Sequence, residues 1–280
     1  MGVVNVTPDS FSDGGLFFEA GAAIAHGLEL ERQGAEILDV GGESTRPGAE
    51  PVAEDEELRR VLPVIEGLAP QLESRGARIS VDTSKAAVAR AALRAGATLV
   101  NDVTALRGDP GMVEVVAAGG AECCLMHMRG EPRTMQRGAG GDWYDDVVDD
   151  VKAFLEERLR FAIARGIGEE RILLDPGIGF GKTLAHNLEL LRRLDELLEL
   201  GRPLLVGTSR KSFLGRILAA AASPRPSSDA GERLAATLAT CVLAYERGAR
   251  VFRVHDVAPA GAALATAAAT LGARWTTTTS

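Results

Sequence analysis

Polar side chains able to do chemistry recur at one kind of place in this sequence, directly after a short apolar run. Asn5 ends the first run, Asp39 the second, Asp82 the third, and Asn101 with Asp102 the fourth. His127 follows the fifth, Asp175 ends the sixth, Ser209, Arg210 and Lys211 follow the seventh, and Arg253 with His255 closes the eighth. Carboxylates and amides of this kind accept hydrogen bonds, while the cations suit an anion. Helix capping explains any one of them as well, because Asp or Ser after a strand is a common N-cap. For Ser84 and Asp102 the two readings are evenly matched. Capping alone is a poor explanation for eight run ends together.

Four loops rich in glycine and proline accompany these positions. Residues 5–15 read Asn-Val-Thr-Pro-Asp-Ser-Phe-Ser-Asp-Gly-Gly, and 41–48 read Gly-Gly-Glu-Ser-Thr-Arg-Pro-Gly. Residues 175–182 read Asp-Pro-Gly-Ile-Gly-Phe-Gly-Lys, and 207–215 read Gly-Thr-Ser-Arg-Lys-Ser-Phe-Leu-Gly. Such small side chains let the backbone approach a ligand closely, and each loop carries a cation, hydroxyl or amide suited to an anion or a metal. Gly181-Lys182-Thr183 superficially resembles a nucleotide phosphate loop, but that pattern requires glycine where Pro176 stands. The adjacent Cys123 and Cys124 lie in an apolar run and read as core. His26 and His186 fall within helical patterns and read as surface residues. Four histidines without Cys/His spacing argue against zinc.

The elements that must hold these residues alternate regularly. The apolar runs cover 2–6, 36–40, 78–82, 98–101, 122–126, 171–175, 203–207 and 250–254. Between them, 22–33, 54–73, 143–165 and 184–200 show helical spacing, as do the alanine-rich stretches 232–245 and 260–271. Strands separated by helices pair in parallel, and continuous hydrophobicity marks strands buried on both faces. Eight units in 280 residues predict an α/β protein with a (β/α)8 barrel as a single domain over 1–272 and a flexible tail over 273–280. A doubly wound open sheet is the alternative. In a barrel every run end opens on one face, where active sites of this fold lie. A long loop is expected at 222–228.

Composition narrows the function. Lysine and arginine total 31 against 39 acids, a net charge of −8, and aromatics are 4%, which argues against nucleic-acid and membrane-surface binding. Three cysteines form no disulfide framework and point to a reducing compartment. With no targeting segment visible before Gly2, the expected location is the cytoplasm.

Together with Ile79-Ser80-Val81-Asp82-Thr83-Ser84-Lys85, Asn101-Asp102-Val103 and Arg253-Val254-His255-Asp256, the four loops closely resemble the dihydropteroate synthase family, in order and spacing. The resemblance implies a barrel enzyme of folate biosynthesis that joins 6-hydroxymethyl-7,8-dihydropterin diphosphate to 4-aminobenzoate, a transferase releasing diphosphate. It implies that Asp82, Asn101, Asp175 and Lys211 read the pterin and that Met126 packs on its ring, with Asp39 either contacting it or holding its neighbours. Asn5, Thr45, Arg253 and His255 would seat the diphosphate, Asn5 through Mg²⁺. Phe11, Thr45, Arg46, Pro47, Phe180, Ser209 and Lys211 would frame the aminobenzoate. Asp13, Asp175, Lys211, Arg253 and His255 would carry catalysis by dissociative substitution, in which the carbon–oxygen bond breaks before the aniline nitrogen attacks. Members usually carry a short segment before the first strand; this chain begins at that strand, so a less well plugged barrel floor is expected. A homodimer is also expected. The competing readings are a pterin-binding methyltransferase, which has no use for the Ser-Thr-Arg-Pro-Gly and Ser-Arg-Lys-Ser-Phe loops, and a non-catalytic pterin-binding paralogue.

Overall fold

The structure, a computed structural model, describes residues 1–7, 16–45, 48–130, 135, 144–221 and 233–272. Strands and helices alternate along it: β1 (Gly2–Asn5), α1 (Leu16–Arg32), β2 (Ile37–Gly41), α2 (Glu54–Leu72), β3 (Arg78–Asp82), α3 (Ala86–Arg94), β4 (Leu99–Asp102), α4 (Met112–Gly119), β5 (Glu122–Met126) and α5 (Val147–Ala164). There follow β6 (Ile172–Asp175), α6 (Leu184–Arg192), β7 (Leu205–Val206), α7 (Ser212–Ala221), α8 (Leu234–Glu246), β8 (Val251–Phe252) and α9 (Val257–Leu271).

β1 to β6 pair in parallel in chain order, and β7 pairs with β8. Two single bridges join these sheets into a ring: Leu174 pairs with Leu204, and Gly2 pairs with Val254. Val3 N–H donates to the Val254 carbonyl (3.1 Å), and Leu174 N–H to the Pro203 carbonyl (3.0 Å). The sheet is therefore a closed eight-stranded barrel and not the open alternative.

Alternation along the strands sorts their side chains. Val4, Leu38, Val40, Val81, Val100, Leu125, Leu174, Val206 and Phe252 join the core under the helices. Inside the barrel, Leu99, Cys124, Leu173 and Leu205 pack with Met1 and Val251. The next inward residue lies two further along each strand. After Leu99 that residue is Asn101, after Cys124 it is Met126, after Leu173 it is Asp175, and after Val251 it is Arg253. An apolar layer inside the barrel thus supports a polar layer at the C-terminal ends of the strands, and this layering builds the site.

The helices depart from expectation at their ends. The helical pattern over 184–200 divides into α6 and a 3-10 turn, Leu194–Leu200. The break falls at Arg193, with φ −111° and ψ 27°, where the guanidinium is clamped by Asp146, Glu189 and Glu196. Asp146 also starts α5 later than the pattern suggested, because its carboxylate accepts the N–H groups of Val148 and Asp149. A further helix, α7, follows the Ser209 loop between β7 and α8. The predicted loop 222–228 and tail 273–280 lie outside the described residues.

Candidate active site

Asp39 is completely buried inside the barrel and organises three neighbours. Ser80 Oγ donates to its Oδ1 (2.6 Å), while Asn101 Nδ2 (3.2 Å) and Arg253 Nε (2.6 Å) donate to its Oδ2. The other arm of the guanidinium, Nη2, donates to Asp82 Oδ2 (2.8 Å). Asp82 and Asn101 are register partners on β3 and β4, so their side chains leave the sheet side by side. Burial, with a further contribution from Asp39, raises the Asp82 carboxyl well above the usual carboxylate range, and Arg253 opposes this. Burial also works against the charge of Arg253, but Asp39 and Asp82 hold it firmly protonated.

On the next strands, Met126 and Asp175 are register partners. Asp175 Oδ1 accepts the N–H of Gly177 (2.7 Å), which draws the loop after β6 back over the strand end. Its pKa is raised by burial and opposed by Lys211. The Lys211 ammonium donates to the Ile178 carbonyl and lies 4.5 Å from the centre of the Phe180 ring. Burial lowers its pKa to about 8. Met126, Val103, Met128 and Met135 form a small apolar cluster against which Phe180 packs. From β7 and β8, Ser209 Oγ and His255 Nδ1 are 2.9 Å apart, and Ser209 Oγ accepts the His255 N–H at 3.2 Å. The result is a barrel mouth with buried acceptors and an amide, an apolar cluster to one side, and cations at the rim. That combination suits a planar, donor-rich ring bearing an anionic group.

Residues 1–255 match the family described as pterin binding enzyme. The chain belongs to this family. Dihydropteroate synthase of Escherichia coli (strain K12) is 46% identical over 274 residues, 98% of this chain and 92% of that protein. Among solved structures, Xanthomonas albilineans dihydropteroate synthase with 4-aminobenzoic acid is 48% identical and superposes with a TM-score of 0.87, covering 98% of this chain and 93% of that one. The same organism's enzyme in complex with 7,8-dihydropteroate is 45% identical with a TM-score of 0.84, at 98% and 93% coverage.

As a pterin-binding enzyme, the protein brings most of the residues picked out from its sequence to one face. Asp39, Asp82, Asn101, Met126, Asp175, Lys211 and Arg253 line or underlie the mouth, with Ser209 and His255 beside them. Asn5 ends β1, next to β8 across the closure, and Thr45 follows β2. Phe11, Asp13, Arg46 and Pro47 lie outside the described residues.

Capping does not account for the two ambiguous residues. Asp102 holds a turn by accepting from Thr104 N–H (2.8 Å) and Leu106 N–H (2.9 Å). The first N–H of α3 is taken by Asp109, not by Ser84. His186 is not simply a surface residue, since it forms a capping box with Thr183 at the start of α6. Sequence reading overlooked Ser80, whose only signal is its inward phase two residues before Asp82. It also passed over Lys182 once the phosphate-loop pattern failed.

Proposed function

We infer that this chain is the dihydropteroate-forming transferase of folate biosynthesis, condensing 6-hydroxymethyl-7,8-dihydropterin diphosphate with 4-aminobenzoate. The observation that carries the reading is the convergence of Asp82, Asn101 and Asp175 on one barrel mouth with Lys211 and Arg253, in a chain that matches dihydropteroate synthases over nearly its whole length.

In this reading Asp175 accepts from the guanidine-like edge of the pterin, Lys211 approaches the ring carbonyl, and Asp82 and Asn101 hold the remaining ring edge. Met126 packs on the ring face. Asp39 acts on the ligand through Asn101 and Arg253, since it has no exposed surface of its own. Arg253, His255 and Thr45 seat the diphosphate. The carbon–oxygen bond of the pterin methylene breaks with its electron pair leaving on diphosphate, and the positive charge is shared with the pterin ring. The aniline nitrogen of aminobenzoate then supplies the pair for the new carbon–nitrogen bond and afterwards loses a proton. Such a reaction needs stabilised charge and no protein nucleophile. Phe180, Ser209 and Lys211 frame the aminobenzoate.

Asn5 suits Mg²⁺ as part of this proposal. Among the described residues no three His, Cys, Asp or Glu side chains group as a metal site. Mg²⁺ nevertheless commonly takes few protein oxygens and completes its shell with phosphate and water. One amide oxygen at the end of β1 fits that mode, and the ion would offset charge on the leaving diphosphate. A homodimer through α8 and α9 is also proposed, supported by the exposed Leu243 and Leu271 on these helices. Light scattering at micromolar concentration returning a monomer mass would reject it. The buried free thiols Cys123, Cys124 and Cys241 agree with the reducing cytoplasm. No helix of the described residues is long and apolar enough to cross a membrane.

The test is incubation with the pterin diphosphate, labelled aminobenzoate and Mg²⁺. The expected product is labelled dihydropteroate with one diphosphate released per turnover. Pterin binding without product would instead favour the non-catalytic paralogue, and methyl transfer from a folate the methyltransferase.

A further inference from the structure

Lys182 closes the loop after β6, yet its side chain is turned away from solvent and is 2% exposed. Among the described residues no carboxylate forms an ion pair with it; burial lowers its pKa well below the usual lysine value, and the charge of Asp175 opposes this. Its Nζ lies 2.9 Å from His127 Nδ1, 2.9 Å from the Gly177 carbonyl and 3.1 Å from the Phe180 carbonyl. The His127 carbonyl is 3.4 Å away. An ammonium has three protons to donate, and here they are spent on the residues following β5 and on both ends of the turn that carries Phe180. A buried charge is expensive unless hydrogen-bonded on all sides, so this arrangement implies a role that repays its cost.

The surroundings indicate what the role is. Gly177 and Gly181 have φ of 65° and 62°, and a Cβ on either would overlap the His127 or the Arg129 carbonyl, respectively. The β5 and β6 loops therefore touch backbone to backbone, with the ammonium between them. Gly177 is also the residue whose N–H holds Asp175 Oδ1. Tyr144 donates to the Gly181 carbonyl (3.2 Å), and Asn187 Oδ1 accepts the Gly179 N–H (2.6 Å). These contacts brace the outer side of the same turn. Burial and the Lys182 charge keep the His127 ring neutral, with its pKa near 2, which preserves Nδ1 as an acceptor.

We propose that Lys182 is a positioning residue for pterin recognition: its buried ammonium ties Gly177 and Phe180 to His127 and so fixes the Asp175 carboxylate and the Phe180 ring in the orientation the substrates meet. It touches no substrate and acts through Gly177. The proposal rests on the pterin site described above and adds a residue behind it.

The experiment uses Lys182→Met, which keeps the length and removes the donors. Calorimetry measures two affinities, for free 6-hydroxymethylpterin and for inorganic diphosphate with Mg²⁺. A positioning role lowers pterin affinity at least tenfold and leaves diphosphate affinity within threefold, because Arg253 and His255 belong to β8 and its following residues. Unchanged pterin affinity overturns the proposal. So does an equal loss for both ligands, which a general structural fault would produce. If Lys182→Met does not fold, the partner is varied instead. His127→Gln keeps an acceptor and should hold pterin affinity within threefold, whereas His127→Leu should lose at least tenfold; equal affinities in these two variants overturn the proposal. Failure of the wild-type chain to make dihydropteroate would count against the enzymatic reading alone, since pterin binding is measured without turnover.

Discussion

Asp175 commits one oxygen to the Gly177 N–H at 2.7 Å and sits close enough to Lys211 for the two charges to support each other. Replacing it with asparagine keeps the shape but sets an N–H against the donor edge of the pterin. An unpaired buried donor costs about 1–3 kcal/mol, and more where a charged acceptor is lost. Asp175→Asn should therefore weaken pterin binding by at least about tenfold, and wild-type affinity by calorimetry would remove Asp175 from the site. Lys211 leads to a second expectation, about pH. Its pKa is lowered by burial to about 8, so the ammonium is present below pH 8 and is lost as pH rises through that value. If the charge serves substrate binding, kcat/KM for aminobenzoate should fall on the alkaline side with a midpoint near 8. In Lys211→Arg, whose guanidinium stays protonated, that limb should disappear even if the maximum is lower. Persistence of the limb would assign it to another group. Both residues were legible in the sequence because they follow buried apolar runs. Ser80 and Lys182 were not, because what marks them is a partner brought close only by the fold.

The loops after β2 and β3 show how elements share one charged anchor. Lys85, at the start of α3, bonds both Glu43 in the β2 loop and Glu57 on α2. Glu57 is fully buried, whereas Glu43 is partly exposed. Arg60 of α2 adds a bond from Nη1 to the Gly42 carbonyl (2.8 Å). Breaking this cluster at Lys85 and at Glu43 should therefore have unequal effects. Lys85→Met strands the Glu57 carboxylate in the core, which typically costs about 3–5 kcal/mol. Glu43→Gln leaves the Lys85–Glu57 pair intact and, as a partly exposed pair, should cost less than about 1 kcal/mol. Urea melts of the two variants test this, and equal destabilisation would show that the buried Glu57 pair adds nothing beyond the Glu43 pair. Element positions were largely readable from periodicity. Their ends were less so: the start of α5 is a local cap at Asp146 that helical spacing alone does not locate, and the end of α6 at Arg193 draws on Asp146 across from α5, a contact no local pattern encodes.

Closure of the barrel joins the chain's first strand to its last, and within the ring the pairing of β7 with β8 brings two proposed subsites together. It was the least legible feature of the fold: β7 and β8 are two residues each, and the ring is completed by the single bridges at Leu204 and Val254. Strand counting suggested eight units, but only the bridges Leu174–Leu204 and Gly2–Val254 together distinguish a ring from an open sheet. Across the β7–β8 seam, His255 of the diphosphate seat meets Ser209 of the aminobenzoate pocket at 2.9 Å. A diphosphate that engages the His255 ring fixes its orientation, and with it the Ser209 hydroxyl, before aminobenzoate arrives. In the proposed pocket Lys211, two residues past Ser209, would carry the effect to the aminobenzoate. Aminobenzoate alone should accordingly bind weakly and should tighten about 5- to 150-fold when pterin, diphosphate and Mg²⁺ are present, the usual range of coupling between sites. Ser209→Ala should reduce that ratio while leaving pterin affinity unchanged, because Asp175 and Asp82 do not depend on the hydroxyl. Phe11 and Pro47, proposed from the sequence to complete the pocket, should affect aminobenzoate more than pterin when replaced. Titration of aminobenzoate with and without the other three components decides the matter: identical affinities would mean a preformed pocket, and a ratio unaltered in Ser209→Ala would mean the coupling does not pass through the seam.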